Sequence, residues 1–388
     1  MARTLKSDRT LFMLTLLLVG ASVVMVYSAS SVQAMNKFRI PYYFLYKQLV
    51  WAIVGFAAMF GAMRIDYHRY RRWPVLWSLI GVTVLLLLLV FFGPEINGTQ
   101  RWLSIKGWFS LQPSELAKLS VILFTAAVLD RRMHRIGDVA YALAPVALLT
   151  LVFAGLVILE PDFGTAVSIV LIAVAMMYAA GLRYWHLATV LLVLTPIATM
   201  LVVLKTYRFK RVLAFLDPEG TKLGDGFQLY QSLIAIGSGG VFGRGLGASV
   251  QKLFYLPEAH TDFIYSIIGE ELGLVGTTVI LAAFALIAWR GLRVSLLAPD
   301  RFGALLSIGI TMMIAVQALL NITVVTGLAP TKGLPLPFVS NGGSSLLINM
   351  IAMGVLLNIS QQASAVAMST PRSDWTLGGH EGMGGLRA

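Results

Sequence analysis

The chain has 388 residues, of which 57% are hydrophobic and only 12% charged, and its mean hydropathy is +0.79. Soluble domains carry about 25% charged residues, so a soluble enzyme is excluded. The lack of cysteine excludes disulfide and thiolate chemistry. The net charge of +12 acquires meaning only when its members are assigned to sides of a membrane.

Apolar runs at 82–92, 139–159 and 165–180 approach or reach the roughly 20 residues that cross a hydrocarbon core. They do not alternate, which sets a membrane β-barrel aside. The expected fold class is an all-α polytopic membrane protein. Arg3, Lys6 and Arg9 precede the first run, and small residues follow at Ser28-Ala-Ser-Ser31, as in a signal peptide. The run is too long for a signal core and reads as an uncleaved first span.

About ten spans are predicted, at 11–29, 47–63, 74–92, 114–130, 139–159, 163–180, 187–205, 263–289, 303–325 and 343–360. They form one membrane domain over 1–362, followed by a polar, Gly-rich tail at 363–388 that reads as disordered and cytoplasmic. An even number of spans puts both termini on one side. Arg and Lys crowd that side: Arg3, Lys6, Arg9, Arg64, Arg69, Arg71, Arg72, Arg131, Arg132, Arg135, Arg183, Arg290, Arg293, Arg301, Arg372 and Arg387. The short loops opposite hold fewer, namely Lys37, Arg39, Lys47, Arg101, Lys106 and Lys332. The positive-inside rule then places both termini in the cytoplasm.

Three outer stretches are more than tethers. Residues 94–113 mix Trp, Phe and polar groups, as suits a segment lying in the interface. Its Asn97-Gly-Thr99 triplet matches a glycosylation acceptor but is common by chance. Lys205 and the large loop 206–262 that follows it supply a run of cations: Lys205, Arg208, Lys210, Arg211, Lys222, Arg244 and Lys252. These are either solvated charges of a long loop or an electropositive vestibule for an anionic substrate. Two short amphipathic helices are expected in it, at 207–216 and 227–236, the second with Gln228, Gln231 and Ser232 on one face. The Gly-rich run 237–247 could turn backbone N–H groups toward a phosphate, though turns or close packing explain such glycines equally. In the loop 326–345, three prolines stiffen a segment presenting Lys332, Ser340, Asn341, Ser344 and Ser345 at a helix start, which favours an anion or simply caps the helix.

Ionisable residues within spans are costly and count as functional candidates. Glu115 and Lys118 share a helix face and read as an internal ion pair or as a pair orienting substrate. Ser114 reads as the cap of that helix, and Asp162, opening the sixth span, could join their network. Asp262 sits beside His260 and Thr261 where a polar loop becomes a long apolar run. With Ser266, Gly269, Glu270 and Gly273 it falls on one helical stripe. Glu270 and Glu271 then lie roughly 12 Å deeper and need partners. Asp262 is the acid best placed to meet both water and a membrane-borne substrate.

Several stretches in this order resemble the SEDS family (shape, elongation, division and sporulation) of bacterial cell-wall glycan polymerases. They are Asn97-Gly-Thr-Gln-Arg-Trp102, Gln112-Pro-Ser-Glu115, Pro161-Asp-Phe-Gly164, Gly226-Phe-Gln-Leu-Tyr-Gln-Ser232, Tyr255-Leu-Pro-Glu-Ala-His-Thr-Asp-Phe263 and Pro335-Leu-Pro-Phe-Val-Ser-Asn-Gly-Gly-Ser344. The similarity spans about 10–360. Leu328-Ala-Pro-Thr-Lys-Gly-Leu-Pro335 and Ile267-Ile-Gly-Glu-Glu-Leu-Gly273 are closer to the division member than to the elongation member, with the sporulation member near. Asn341 stands where the family usually carries Tyr.

The resemblance implies polymerisation of lipid II at the outer face of the bacterial cytoplasmic (inner) membrane during septal synthesis. The acceptor's GlcNAc 4-hydroxyl attacks MurNAc C1 of the donor with inversion, and undecaprenyl pyrophosphate leaves. It implies Asp262 as general base, with Lys332, Ser340, Asn341, Ser344, Arg244, Lys252, His260 and Gln231 as substrate contacts. Arg208 is a further basic candidate for the pyrophosphate, and Glu115, Lys118 and Asp162 form a supporting network. No metal-ligand cluster is evident, and Mg or Mn could assist at the pyrophosphate. The implied partners are a class B penicillin-binding transpeptidase and other division proteins, with no nucleic acid. The competing class is a lipid II flippase, whose sign would be charged groups through the full membrane depth. A scaffold role is possible beside either.

Overall fold

The computed structural model describes residues 7–93, 99–105, 109–135 and 138–369. The expectations for Arg3, Lys6, Asn97, Lys106, Arg372 and Arg387 lie outside those residues. The described residues are mostly helical: α1 (Arg9–Phe38), α2 (Tyr43–Arg64), α3 (Trp73–Leu89), α4 (Pro113–Arg132), α5 (Val139–Ala142), α6 (Ala144–Leu159), α7 (Phe163–Ala179), α8 (Tyr184–Val203), α9 (Thr206–Leu216), α10 (Phe227–Gly239), α11 (Ile264–Leu297), α12 (Arg301–Val325) and α13 (Gly343–Ser369). Each of the ten predicted spans corresponds to a helix: α1, α2, α3, α4, α6, α7, α8, α11, α12 and α13. Seven of these are long and apolar enough to cross a membrane by themselves, and α6 and α7 are shorter apolar helices. The remaining one, α4, carries Glu115, Lys118 and Asp130 and would be a poor span alone. It is tolerated because it is buried, packing against α3, α6, α7, α12 and α13.

The ends divide by charge. At one end Asp8 pairs with Arg290 at 2.6 Å and Arg71 with Asp130 at 2.8 Å. That end also gathers Arg64, Arg69, Arg72, Arg131, Arg132, Arg183 and Arg301, which lie at the corresponding helix termini. The loops at the other end build the site around Asp262. There, part of the stretch 94–113 forms a small hairpin, β1 (Leu103–Ile105) paired antiparallel with β2 (Phe109–Leu111). Both short amphipathic helices are present as α9 and α10. The last helix runs past Gln362 to Ser369, further than the sequence pattern indicates, and the rest of the tail is outside the described residues.

Helix α11 breaks where its sequence reads as continuous helix. Gly273 has φ 67° and ψ −159°, a conformation open to glycine and costly for other residues. The amides freed by the break are taken up by the strap that follows α10: Leu274 N–H donates to Gly240 O at 3.0 Å and Val275 N–H to Val241 O at 3.2 Å. In return Arg244 and Gly245 donate backbone N–H to Glu270 O and Glu271 O, both at 3.0 Å. Close backbone approach explains the glycines: a Cβ on Gly239 would stand 1.9 Å from Gly269 O. The run 237–247 is therefore a docking strap and not a phosphate cradle.

Candidate functional site

The loop 257–263, the loop 331–342, α9, α10, the hairpin region and the α6–α7 turn enclose a cavity of ≈ 660 Å³ at one end of the bundle. Asp262 lines it, with Thr99, Arg101, Gln112, Tyr207, Arg211, Gln228, Glu258, Lys332 and Asn341 among its neighbours. Asp262 lies in the turn before α11 begins at Ile264, so it is not part of the helical stripe that the sequence spacing predicts. Its backbone is fixed: Asn321 Nδ2 donates to Asp262 O at 2.8 Å, and the same amide donates to Leu334 O at 2.7 Å. Its carboxylate makes no hydrogen bond or ion pair among the described residues, and the residue is half-buried in the cavity wall. Burial, then the charges of Glu258 and Asp162, push its pKa up to about 7, while Arg101 and Arg211 pull the other way. A methyl added to Gly333 would meet Asp262 Oδ2 at 3.0 Å and Arg101 Nη1 at 4.0 Å, so acid and guanidinium converge above this bare backbone.

The residues predicted from sequence separate into two groups. Lys332 and Asn341 line the cavity, as Asp262 does. Lys332 holds its ammonium 5.3 Å from the Phe163 ring, and burial lowers its pKa. Asn341 presents its side chain where a Tyr would be usual, and its N–H donates to His260 O at 3.0 Å. Ser340 and Ser344 shape the loop instead. Ser340 Oγ donates to Thr261 O at 2.5 Å and accepts from Leu336 N, and Ser344 Oγ accepts from Gln112 N at 3.3 Å. His260 is buried against Phe44, ring centroids 4.6 Å apart. Burial, with Lys37 and Lys47 nearby, pushes its pKa down to about 4, against the pull of Glu258, and keeps the ring neutral. Gln231 is outside the cavity lining, and Gln228, one turn earlier on α10, occupies that place.

Arg244 and Lys252 do not reach the cavity. The strap carries both to the broken part of α11. Lys252 Nζ sits 3.0 Å from Glu271 Oε1, which Ser28 Oγ of α1 also meets at 2.7 Å. Arg244 lies 3.6 Å from Glu270, which accepts from Ser249 Oγ and Val250 N. Long-range docking claims these cations, and nothing local in the sequence announces it.

The supporting network is two clusters. Lys118 Nζ bonds Glu115 at 2.8 Å and Gln317 at 2.5 Å, and Gln317 donates to Pro335 O at 2.9 Å, tying α4 and α12 to the loop that carries Lys332. Asp162 is the N-cap of α7, accepting from Thr165 N, and it accepts from Gln112 Nε2 at 3.0 Å. It makes no direct bond to Glu115 or Lys118. Gln112, not Ser114, is the N-cap of α4, with Pro113 at its first position; Ser114 Oγ accepts from the Gln112 side chain. Beside Asp162, Glu160 is fully buried, with no partner for either carboxyl oxygen among the described residues, and burial plus Asp162 push it up to about 8.

Sequence reasoning counted Arg211 only among the cations of a candidate vestibule and Gln228 only on the polar face of the second short helix, and it gave Arg101 no role. A signal existed for Arg211: it is three residues from Arg208 on an amphipathic helix, so the two share a face. A metal finds little here. Among the described residues no three His, Asp or Glu converge, and Asp162 is already engaged by Gln112 and Thr165.

The family model described as "Cell cycle protein", covering FtsW, RodA and SpoVE, matches residues 8–365. The chain belongs to the FtsW/RodA/SpoVE family. Within it, the chain is 44% identical over 361 residues to a probable peptidoglycan glycosyltransferase FtsW of Trichlorobacter lovleyi, covering 92% of this chain and 94% of that one. It is 43% identical over 357 residues to the stage V sporulation protein E of Bacillus subtilis, covering 91% and 97%. Two solved structures share the fold of this FtsW/RodA/SpoVE member. One, described as a peptidoglycan synthase complex coordinating polymerization and crosslinking, aligns with a TM-score of 0.76 at 31% identity, covering 92% of this chain and 99% of that one. The other, Thermus thermophilus rod shape determining protein RodA, gives 0.68 at 28% identity, covering 92% and 98%. The chain is thus a bacterial membrane protein of the SEDS type.

Proposed function

We propose that the chain is a peptidoglycan glycosyltransferase that polymerises lipid II in septal cell-wall synthesis. The observation carrying this is the Asp262 carboxylate, unpartnered among the described residues, in a water-accessible cavity with Arg101, Arg211 and Lys332. The acceptor 4-hydroxyl oxygen attacks the donor's anomeric carbon in line. Its proton passes to Asp262, and the C1–O bond breaks with its electron pair leaving on the diphosphate. One base at one face suits a single displacement with inversion. A pKa near the operating pH makes Asp262 a usable base without making it a permanently solvated anion.

In this reading the cavity faces outward, the termini lie in the cytoplasm, and the protein works at the septum of the inner membrane. Its partner is a class B penicillin-binding transpeptidase that crosslinks the new strand. Among the described residues no group of three acidic or His side chains would hold a divalent cation, Mg or Mn, and no step is routed through one. The flippase alternative needs mobile charge through the bilayer depth. The deep charges Glu270, Glu271, Arg244 and Lys252 instead close on one another.

The test uses purified protein with its transpeptidase partner in liposomes containing fluorescent lipid II. Glycan chains that appear and are cut by a muramidase support the reading. Lipid II that changes leaflet but never lengthens would replace it with the flippase.

A further inference from the structure

At the Arg-rich end of the bundle, opposite the Asp262 cavity, helix α8 stands partly off its neighbours. It packs lightly on α7, and none of its described side chains is fully buried. Between its first half and the α6–α7 pair lies a second cavity, of ≈ 340 Å³. Ala144, Ala147 and Leu151 of α6 and Ala173 and Met177 of α7 line it at the three- and four-residue spacing of a helix face, with Val190 of α8 opposite. The wall hydroxyls are spent inside their own helices: Thr150 Oγ1 donates to Val146 O at 2.8 Å and Thr189 Oγ1 to Trp185 O at 3.0 Å. A polar atom is left over. His186 lines the cavity, and its Nδ1 is buried with no hydrogen-bond partner among the described residues. An apolar cavity stays dry, and left empty it forfeits the contacts of its lining. Set among three spans, it lies in the hydrocarbon layer, where acyl chains are the material at hand. Its mouth carries charge. Arg183, between the lining residues Leu182 and His186, is exposed and meets no acid among the described residues, although Arg71 and Arg290 at the same end pair with Asp130 and Asp8. Arg183 directly precedes α8, whose start has no side-chain cap, so first-turn amides and a guanidinium sit together. Tyr184 and Trp185 beside it are exposed, as interfacial anchors are.

We propose that this cavity binds one acyl chain of an anionic phospholipid, whose phosphate sits at the start of α8 against Arg183 and His186. The chain supplies the apolar contacts that the protein withholds from the gap. The phosphate accepts from the guanidinium and the uncapped amides, and His186 can present Nδ1–H to a phosphate or ester oxygen. A zwitterionic headgroup suits the site less well, because its own ammonium competes with Arg183. The site is independent of the glycosyltransferase reading, but the fold links it to the Asp262 cavity. Helix α8 continues through Leu204 and Lys205 into α9, which carries Tyr207 and Arg211 into that cavity's wall. Arg208 Nη1 of α9 also donates to Leu201 O of α8 at 3.1 Å. A lipid that packs α8 onto α6 and α7 therefore braces α9 as well.

The test is photolabelling of the full-length protein in phosphatidylcholine nanodiscs that contain a little phosphatidylglycerol with a diazirine on one acyl chain. Labelled peptides are mapped by mass spectrometry. We expect adducts to concentrate on 144–151 and 170–177, several-fold above those on α3, whose Trp77 and Leu85 are also exposed along a span. Ala147 is half-buried at the cavity wall, so Ala147→Phe should fill the gap. It should cut the α6 and α7 adducts several-fold and leave those on α3 unchanged. Adducts no denser on α6 and α7 than on α3 overturn the site, and this map of the parent decides even if Ala147→Phe fails to fold. Undiminished labelling in an Ala147→Phe protein that melts like the parent overturns it too. Arg183→Gln should lower labelling to the level given by a diazirine phosphatidylcholine. Equal labelling by the two lipids in the parent overturns the anionic assignment, and displacement of the label by a trace of undecaprenyl phosphate overturns the phospholipid in favour of a polyprenyl chain. Hydrogen exchange of the α9 amides should slow when phosphatidylglycerol is added to the parent and not to Ala147→Phe, and equal exchange in both lipids overturns the brace.

Discussion

Asp262 holds its proton to about pH 7 because burial, Glu258 and Asp162 outweigh the two arginines. An unfolded chain releases that proton near pH 3.8. Between these values the folded state binds more protons than the unfolded one, so this group lowers stability as pH rises through the window. Asp262→Asn removes the effect. The variant is expected to melt above the parent at pH 8 but not at pH 4, measured by thermal unfolding in one detergent. Activity runs the other way, since a base works only when deprotonated. Turnover should rise about tenfold per pH unit below the pKa and level above it; a flat profile from pH 5 to 8 would count against Asp262 as base. Gly333 offers a second test at this scale. Gly333→Ala puts a methyl 3.0 Å from Asp262 Oδ2. Turnover is expected to fall roughly tenfold or more, as small misplacements at a reacting centre do, with little change in melting temperature.

Among the elements, the strap and the break in α11 depend on each other. The strap supplies acceptors for amides that the break exposes, and the break supplies Glu270 and Glu271 for the cations of the strap. Glu271→Ala leaves Lys252 buried beside Ser28 with no carboxylate, at an expected loss of about 3–5 kcal/mol. Glu271→Gln keeps a hydrogen-bonding group and should cost less. Chemical unfolding of both variants in one mimetic measures the difference, and equal losses would mean that charge is unimportant there. None of this was legible locally. Ile267–Gly273 reads as helix because its neighbours are good helix residues, and the partner that stabilises the break lies some thirty residues earlier. The spans themselves were legible, since apolar length is a local property set by bilayer thickness. So were α9 and α10, whose amphipathic spacing is visible in a single turn or two.

At the scale of the molecule, the membrane bundle carries a cavity around Asp262 whose walls come from distant parts of the chain. Asp262, Lys332 and Asn341 were found from sequence because a recognisable motif surrounds each, and Asp262 and Asn341 also stand close to the start of a helix. Arg101 was quoted within a motif but given no role, and Arg211 and Glu258 have side chains whose partners are set only by folding. Arg244 and Lys252 looked equivalent to Arg211 by charge and loop, and the fold sends them to Glu270 and Glu271 at the break in α11. Composition counts cations, whereas function depends on which of them lack an acid.

The central claim is that Asp262 takes the acceptor's proton. Its most direct test is glycan polymerisation by the Asp262→Asn protein purified with its transpeptidase partner, alongside lipid II binding by the same sample. The account predicts binding within a few-fold of the parent and polymerisation reduced by roughly 10²- to 10⁴-fold. Polymerisation at the parent rate by a variant that binds lipid II normally would contradict it.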